Sequence, residues 1–186
     1  MRIIAGEFRS RRIRTMRGMD VRPTPDRLRE TLFNIVGFRL PGLTFVDTYA
    51  GCGSVGIEAL SRGAERVIFL ERKFAAVTMI RRNLESLGAL DRAEVHQGKA
   101  AVLLERFPAD IVFLDPPYSL EKEYEASLNV LGQMTPELVI AQHDSRYSPQ
   151  EAYGGLRRAR ILRQGDNSLS FYEPERRGNR QPLQYE

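Results

Sequence analysis

The chain is poor in the residues that build stapled or metal-held folds: 186 residues include one cysteine, two histidines and no tryptophan. Cys52 alone forms no intramolecular disulfide, and two histidines are too few for a zinc cluster. Long apolar runs are missing too. No stretch approaches the ~20 residues needed to cross a bilayer, and Met1-Arg2-Ile3-Ile4-Ala5-Gly6 lacks the apolar core of a secretory leader. A cytoplasmic protein without metal or membrane association is expected, and a monomer. Lysine is the last scarcity. Of 28 basic residues only Lys73, Lys99 and Lys122 are lysine; the rest are arginine.

Genome base composition alone can produce such a bias, but the placement of the arginines is more telling. Arg2, Arg9, Arg11, Arg12, Arg14, Arg17, Arg22, Arg27 and Arg29 crowd residues 2–29 against Glu7, Asp20 and Asp26. Guanidinium forks pair with phosphate oxygens. Arg9, Arg11, Arg12, Arg14, Arg22 and Arg27 are therefore candidate contacts to RNA or DNA. The C-terminal segment repeats the bias with Arg157, Arg158, Arg160, Arg163, Arg176, Arg177 and Arg180.

Between residues 43 and 144 short apolar runs alternate with helical stretches. Strands are expected at residues 44–46, 66–70, 93–96, 110–114 and 138–141, with helices at 54–62, 74–87, 100–106 and 121–131. Val77, Ile80, Leu84 and Leu87 carry the helical period of the second of these helices, and Gly88 marks its stop. Alternating units of this length predict a parallel, doubly wound α/β sheet of Rossmann-like type. Residues 156–162 and 168–172, with Gly165-Asp166-Asn167 between them, read as a closing antiparallel hairpin. Ahead of the sheet, Thr24 or Asp26 can cap a helix running to Val36, with Leu28, Leu32, Ile35 and Val36 on its apolar face. Three regions follow. Residues 1–20 form a basic arm, too charged to pack fully and expected as a strand or hairpin over the substrate side. Residues 21–174 form one domain, and residues 175–186 a loose polar tail.

Two motifs carry chemistry. Asp47-Thr48-Tyr49-Ala50-Gly51-Cys52-Gly53-Ser54-Val55-Gly56 follows the first strand and opens a helix, with Gly51, Gly53 and Gly56 in G-x-G-x-x-G spacing. Glu71 ends the second strand, where an acidic group accepts ribose hydroxyls; Arg72 follows it. A dinucleotide would set its pyrophosphate at the helix N-terminus. S-adenosylmethionine (SAM) has no phosphate and carries a charged amino-acid tail that needs a carboxylate partner or backbone acceptors; Asp47 meets that need and would crowd an anionic pyrophosphate. Tyr49 and Ala50 line the loop, although Tyr49 serves equally for packing and Asp47 for capping. The second motif is Asp115-Pro116-Pro117-Tyr118, after the apolar run Ile111-Val112-Phe113-Leu114. Two prolines stop a strand and lock the backbone beyond it. The Asp115 and Pro116 carbonyls are expected to face outward beside a carboxylate and a ring, as acceptors and a stacking face for a planar amino group. That arrangement points to methyl transfer onto an exocyclic nitrogen of a base.

With Arg2-Ile3-Ile4-Ala5-Gly6, Arg22-Pro23-Thr24-Pro25-Asp26-Arg27-Leu28-Arg29-Glu30-Thr31-Leu32-Phe33-Asn34, residues 47–64 and residues 114–118, the chain resembles the 16S ribosomal RNA guanine-N2 methyltransferases (RsmD family). These are class I SAM-dependent enzymes. The resemblance implies a seven-stranded, mostly parallel sheet whose last two strands come from the hairpin. It implies SAM as cofactor and 16S rRNA or a small-subunit assembly intermediate as partner. It also places residues 22–34 beside the cofactor and the RNA entrance. Asp115, Pro116, Pro117 and Tyr118 become the catalytic set. Asp47, Tyr49, Ala50, Gly51, Gly53, Glu71, Arg72, Gly98, Lys99, Ala100 and Asp115 become the cofactor set. Three departures stand out: Lys99 where relatives carry an adenine-binding Asp, Cys52 where Ser or Thr is commoner, and Gln142 in place of an acidic residue. Backbone around residues 98–100 is then left to recognise adenine. Rival readings are amino-group methylation of adenine or cytosine in DNA or other RNA, methylation of a protein glutamine, and a binding module that has lost catalysis. The first would call for a target-recognition domain for which 186 residues leave little room.

Overall fold

The computed structural model describes residues 1–15, 26–117 and 120–175. Helix α1 (Asp26–Val36) precedes the sheet, and then strand and helix alternate: β1 (Thr44–Thr48), α2 (Ser54–Ser61), β2 (Arg66–Glu71), α3 (Phe74–Leu87), β3 (Ala93–Gln97), α4 (Ala100–Leu103), β4 (Ile111–Leu114), α5 (Glu121–Met134) and β5 (Leu138–Asp144). Strands β6 (Ala152–Tyr153), β7 (Leu156–Gln164) and β8 (Asn167–Pro174) close the chain. The eight strands lie in the order β3-β2-β1-β4-β5-β8-β7-β6. Pairing is parallel from β3 to β5 and antiparallel beyond it. This is a doubly wound, Rossmann-like α/β fold.

The expected seven strands become eight. Ala152 and Tyr153 pair with Arg157 and Leu156 across a tight turn. Two residues are too short to show a period-two pattern, so this strand exists only through its partner. It also shields part of β7, whose outer edge is otherwise unpaired among the described residues and studded with arginine, an ordinary protection against edge-to-edge association.

Strands β1, β2 and β4 are apolar almost throughout because helices cover both faces of the sheet. On one face Phe45, Val67, Phe69 and Phe113 pack with Leu28, Ile57, Ile80 and Leu84 from α1, α2 and α3. On the other, Val46, Ile68, Val112 and Leu114 meet Leu104 and the α5 residues Tyr124, Leu128 and Leu131. The chain leaves β1 toward β2 and β3, then returns to β4 on the opposite side of β1. That reversal opens a crevice at the carboxyl ends of β1 and β4, where ligands bind in doubly wound sheets.

The basic arm is better packed than its charge suggests. Ile3, Phe8 and Ile13 are buried in the first core, while Arg2, Arg9, Arg11, Arg12 and Arg14 are exposed. The arm folds into a short hairpin bridged at Arg2 and Arg12, with Ile3 N donating to Arg11 O at 3.0 Å. It lies on α2 and α3: Glu7 N reaches Ser61 O, and Phe8 N reaches Ser61 Oγ. Three apolar residues spaced five apart carry no helix or strand signature, which is why the sequence read as solvated.

The helix expected to end at Val36 does so. Gly88 closes α3 in the left-handed conformation. The helix expected over residues 100–106 is α4 continued by a 3-10 turn, Leu104–Arg106. Thr24, Arg22, Tyr118 and the tail beyond residue 175 lie outside the described residues.

Candidate active site

The glycine loop sits in the crevice. Gly53 (φ 80°) begins α2 in the left-handed region that glycine tolerates, and a Cβ there would press on Ile80 and Phe69 at 3.2 and 3.3 Å. At Gly56 a Cβ would collide with the Phe69 ring, so α2 packs on β2 only because this position is bare. The loop is held from below: Ala50 N donates to Leu70 O at 3.2 Å and Gly53 N to Ala50 O at 2.7 Å.

Asp47, near the end of β1, is buried and accepts the Gly56 N–H at 2.8 Å through Oδ2. Its carboxyl is held well above the usual carboxylate range. Burial is the main cause; the Gly56 hydrogen bond opposes it, and the charges of Asp115 and Glu71 add to it. Glu71, also buried, accepts Gly51 N at 2.9 Å through Oε2 and Lys73 N at 2.7 Å through Oε1. Each oxygen keeps a second lone pair. Asp47, Glu71 and Asp115 thus converge from the ends of three adjacent strands. Carboxylates that raise one another's cost of ionisation make a place for a cation, and a poor one for a pyrophosphate. Among the described residues there is no cluster of three His, Cys, Asp or Glu side chains arranged to hold a metal ion.

Asp115 follows Leu114, which pairs with Thr48 across β1 and β4. It is half-buried, and Pro116 is buried. Here the structure corrects an expectation. The Pro116 carbonyl does not simply face outward; it accepts the Tyr124 hydroxyl at 3.2 Å. Tyr124 is 1% exposed and also donates toward Gln142 O at 2.7 Å. A buried phenol must find acceptors, and here the shorter bond goes to Gln142 O on β5 and the longer to Pro116 O just beyond β4. Tyr124 therefore ties the Asp-Pro-Pro turn to the end of β5. It sits at core spacing with Leu128 and Leu131 on α5, so the sequence shows it only as part of an apolar face.

Tyr49, with φ 58°, turns its hydroxyl to Glu123 Oε2 and Ser127 Oγ on α5, both at 2.9 Å. Burial pushes this phenol well above its ordinary range. Ala50 is buried and Gly51 half-buried beside it. At the far end of the crevice Gly98 N donates to Glu71 O at 3.0 Å, Lys99 is exposed and Ala100 is buried. Arg72 is exposed at the same end. Burial also raises the Cys52 thiol, which makes it less rather than more nucleophilic. His143 is buried, with Nε2 at 2.9 Å from Ser170 Oγ, and burial lowers its pKa.

The proposed RNA contacts are spread over two elements. Arg9, Arg12 and Arg14 are exposed on the arm, and Arg27 on α1. Arg11 is partly committed elsewhere: its Nη2 donates to Ser86 O at the end of α3, at 2.6 Å. Three buried polar residues escaped sequence reasoning. Arg29 and Glu58 link α1, α2 and the arm: Arg29 Nη2 donates to Arg2 O at 2.6 Å, and Glu58 accepts Ile4 N and Ala5 N at 2.8 and 3.0 Å. Asn83, 1% exposed, bonds both the arm and the glycine loop. A charged or amide residue inside an apolar helix face was the available signal.

Comparisons with known proteins extend this picture. The family model described as conserved hypothetical protein 95 matches residues 1–173. The chain is 34% identical to the Bacillus subtilis protein named "Putative rRNA methyltransferase YlbH", over 93% of this chain and 98% of that one. It is 36% identical to ribosomal RNA small subunit methyltransferase D of Escherichia coli K12, over 84% of this chain and 77% of that one. Among solved structures, "Putative methyltransferase yhhF" of Escherichia coli superposes with a TM-score of 0.80 at 29% identity, covering 94% of this chain and 98% of the other.

Proposed function

Because the chain belongs to the conserved hypothetical protein 95 family, that of the RsmD-type methyltransferases, we propose that it methylates the exocyclic N2 of a guanine in 16S ribosomal RNA, with SAM as donor. The observation that carries this reading is the meeting of Asp115 with buried Asp47 and Glu71 at the mouth of the glycine loop. An amino-group acceptor and a cation-seeking pocket share one crevice.

Asp47 and Glu71 would hold the cofactor's ammonium and ribose ends, with the Gly51–Cys52–Gly53 backbone against it and residues 98–100 at its adenine. SAM supplies, when bound, the electrophilic sulfonium methyl. The rest belongs to the chain. The guanine N2 lone pair is delocalised into the ring, so the amino group is a poor nucleophile. Asp115 accepts one of its N–H bonds, and the other is assigned to the remaining lone pair of the Pro116 carbonyl. Together they turn the nitrogen lone pair out of the ring plane. Tyr118 is assigned the stacking face by its place after the two prolines. Tyr124, by gripping Pro116 O, keeps that acceptor from swinging away. Positioning of this kind accounts for much of such a rate without a strong base. Exposed Arg9, Arg12, Arg14 and Arg27 are assigned to phosphates, and a paired target must first be unstacked.

Tritiated SAM, offered with undermethylated small subunits, free rRNA or DNA, tests the substrate class; label in DNA alone, or in protein, refutes it. Mass-spectrometric mapping of rRNA from a deletion strain tests the atom. Loss of one N2-methylguanosine is expected, and an unchanged modification map overturns the assignment.

A further inference from the structure

We infer that Asn83 is a positioning residue that couples RNA bound on the arginine arm to the methyl donor bound at the glycine loop. This rests on the function proposed above. The carboxamide of Asn83 makes three hydrogen bonds, with both N–H groups engaged. Its Oδ1 accepts the Arg14 N–H at 2.9 Å, one Nδ2 hydrogen goes to Arg14 O at 3.1 Å, and the other goes to Cys52 O at 3.0 Å. The first two bonds clamp the arm backbone on both sides of one residue and so fix the plane of the amide. The third hands that plane to the peptide between Gly51 and Gly53, both in the left-handed region.

No other side chain among the described residues joins these two segments in the same way. Ser61 and Glu58 hold the arm toward the far end of α2 from the loop, Arg29 holds it from α1, and Arg92 pairs with Glu7. Arg11 reaches the end of α3. Among the described residues, it is at Arg14 that the arm is hydrogen-bonded to a side chain that also holds the glycine loop. A strand of RNA that holds the side chains of Arg9, Arg12 and Arg14 fixes the Arg14 backbone. Through a planar, buried amide held by three hydrogen bonds, that fixes the Cys52 carbonyl. The ordering of the arm and the ordering of the loop are then shared between two ligands, so each binds more tightly once the other is present. Reciprocity requires the same factor in both directions.

The test is the SAM dissociation constant of the full chain, by calorimetry, with and without saturating in vitro transcribed small-subunit rRNA. In the wild type, RNA is expected to tighten SAM binding about fivefold. Asn83→Ala is expected to reduce that ratio to about one while both ligands still bind. A paired comparison avoids dependence on that core substitution. Arg14→Pro removes the backbone N–H that Asn83 Oδ1 accepts, whereas Arg14→Ala removes only the charge. Arg14→Ala should weaken RNA binding yet keep the ratio; Arg14→Pro should lose the ratio. A merely structural role for Asn83 would lower melting temperature or both affinities and leave the ratio intact, which overturns the inference. A wild-type ratio of one also overturns it while the methyltransferase reading stands. Absence of any SAM binding by the wild type overturns that reading itself, and the inference with it.

Discussion

Glu58→Gln is a sensitive test of how the basic arm is held. Glu58 is fully buried in α2, in an otherwise apolar run. Its Oε2 accepts Ile4 N–H at 2.8 Å; its Oε1 accepts Ala5 N–H at 3.0 Å and Arg62 Nε at 2.8 Å. Arg29 Nε stands 3.9 Å from Oε2, itself without a hydrogen-bond acceptor among the described residues. Glutamine keeps the shape but turns one acceptor into a donor aimed at a donor, and removes the charge facing a buried guanidinium. Losing one charge-assisted hydrogen bond costs about 1.5–3 kcal/mol, and leaving a buried charge unpaired about 3–5 kcal/mol. The two overlap. Arg29 also retains Asp26 Oδ1 at 3.2 Å, but that carboxylate is 67% exposed and screened. A net loss of about 3 kcal/mol follows. For a domain of this size that lowers the melting temperature by roughly 6–12 °C. Thermal unfolding followed by circular dichroism measures it, with exposed Glu30→Gln as a control expected to lie within about 0.5 kcal/mol of wild type. A Glu58→Gln protein melting within about 2 °C of wild type refutes the picture of Glu58 as the arm's anchor.

Three further outcomes are expected. Asp115→Ala should retain SAM binding and lose about a hundredfold in turnover; undiminished single-turnover methylation contradicts the role given to Asp115. SAM affinity should weaken as the pH falls through the elevated pKa of Asp47, because a cationic ligand favours the ionised carboxylate. The unliganded protein has the opposite sign. Its native state binds that proton more tightly than the unfolded chain, so this group's penalty on stability is relieved as the pH drops. Asp47→Asn should flatten the binding profile, and a flat wild-type profile contradicts the assignment. Reversing Arg11, Arg12 and Arg14 to Glu should weaken RNA binding and reduce the log–log salt slope by about 0.7–0.9 for each phosphate no longer neutralised. Arg11→Glu alone should also loosen the end of α3, where its guanidinium meets Ser86 O. An unaltered salt slope in the triple variant removes the arm from the RNA interface.

What the sequence determined by itself was local and periodic. The apolar runs of β1, β2 and β4, the helical spacing on α3, the stop at Gly88 and the Gly165-Asp166 turn each declare themselves within a few residues. The glycine loop and the Asp-Pro-Pro turn are equally local, so the crevice and its two motifs could be named in order along the chain. Tertiary structure alone decided which polar groups meet. Glu58 reads as one carboxylate in an apolar helix, Asn83 as one amide in another, and Tyr124 as one more core aromatic. Each becomes meaningful through partners 54, 69 and 18 residues away. A buried polar group is satisfied wherever the fold happens to bring a complementary one, and no local pattern encodes that distance. The same holds for Ala152 and Tyr153, a strand only because β7 lies beside it. It holds also for the Pro116 carbonyl, freed by two prolines in the sequence and claimed by Tyr124 in the fold.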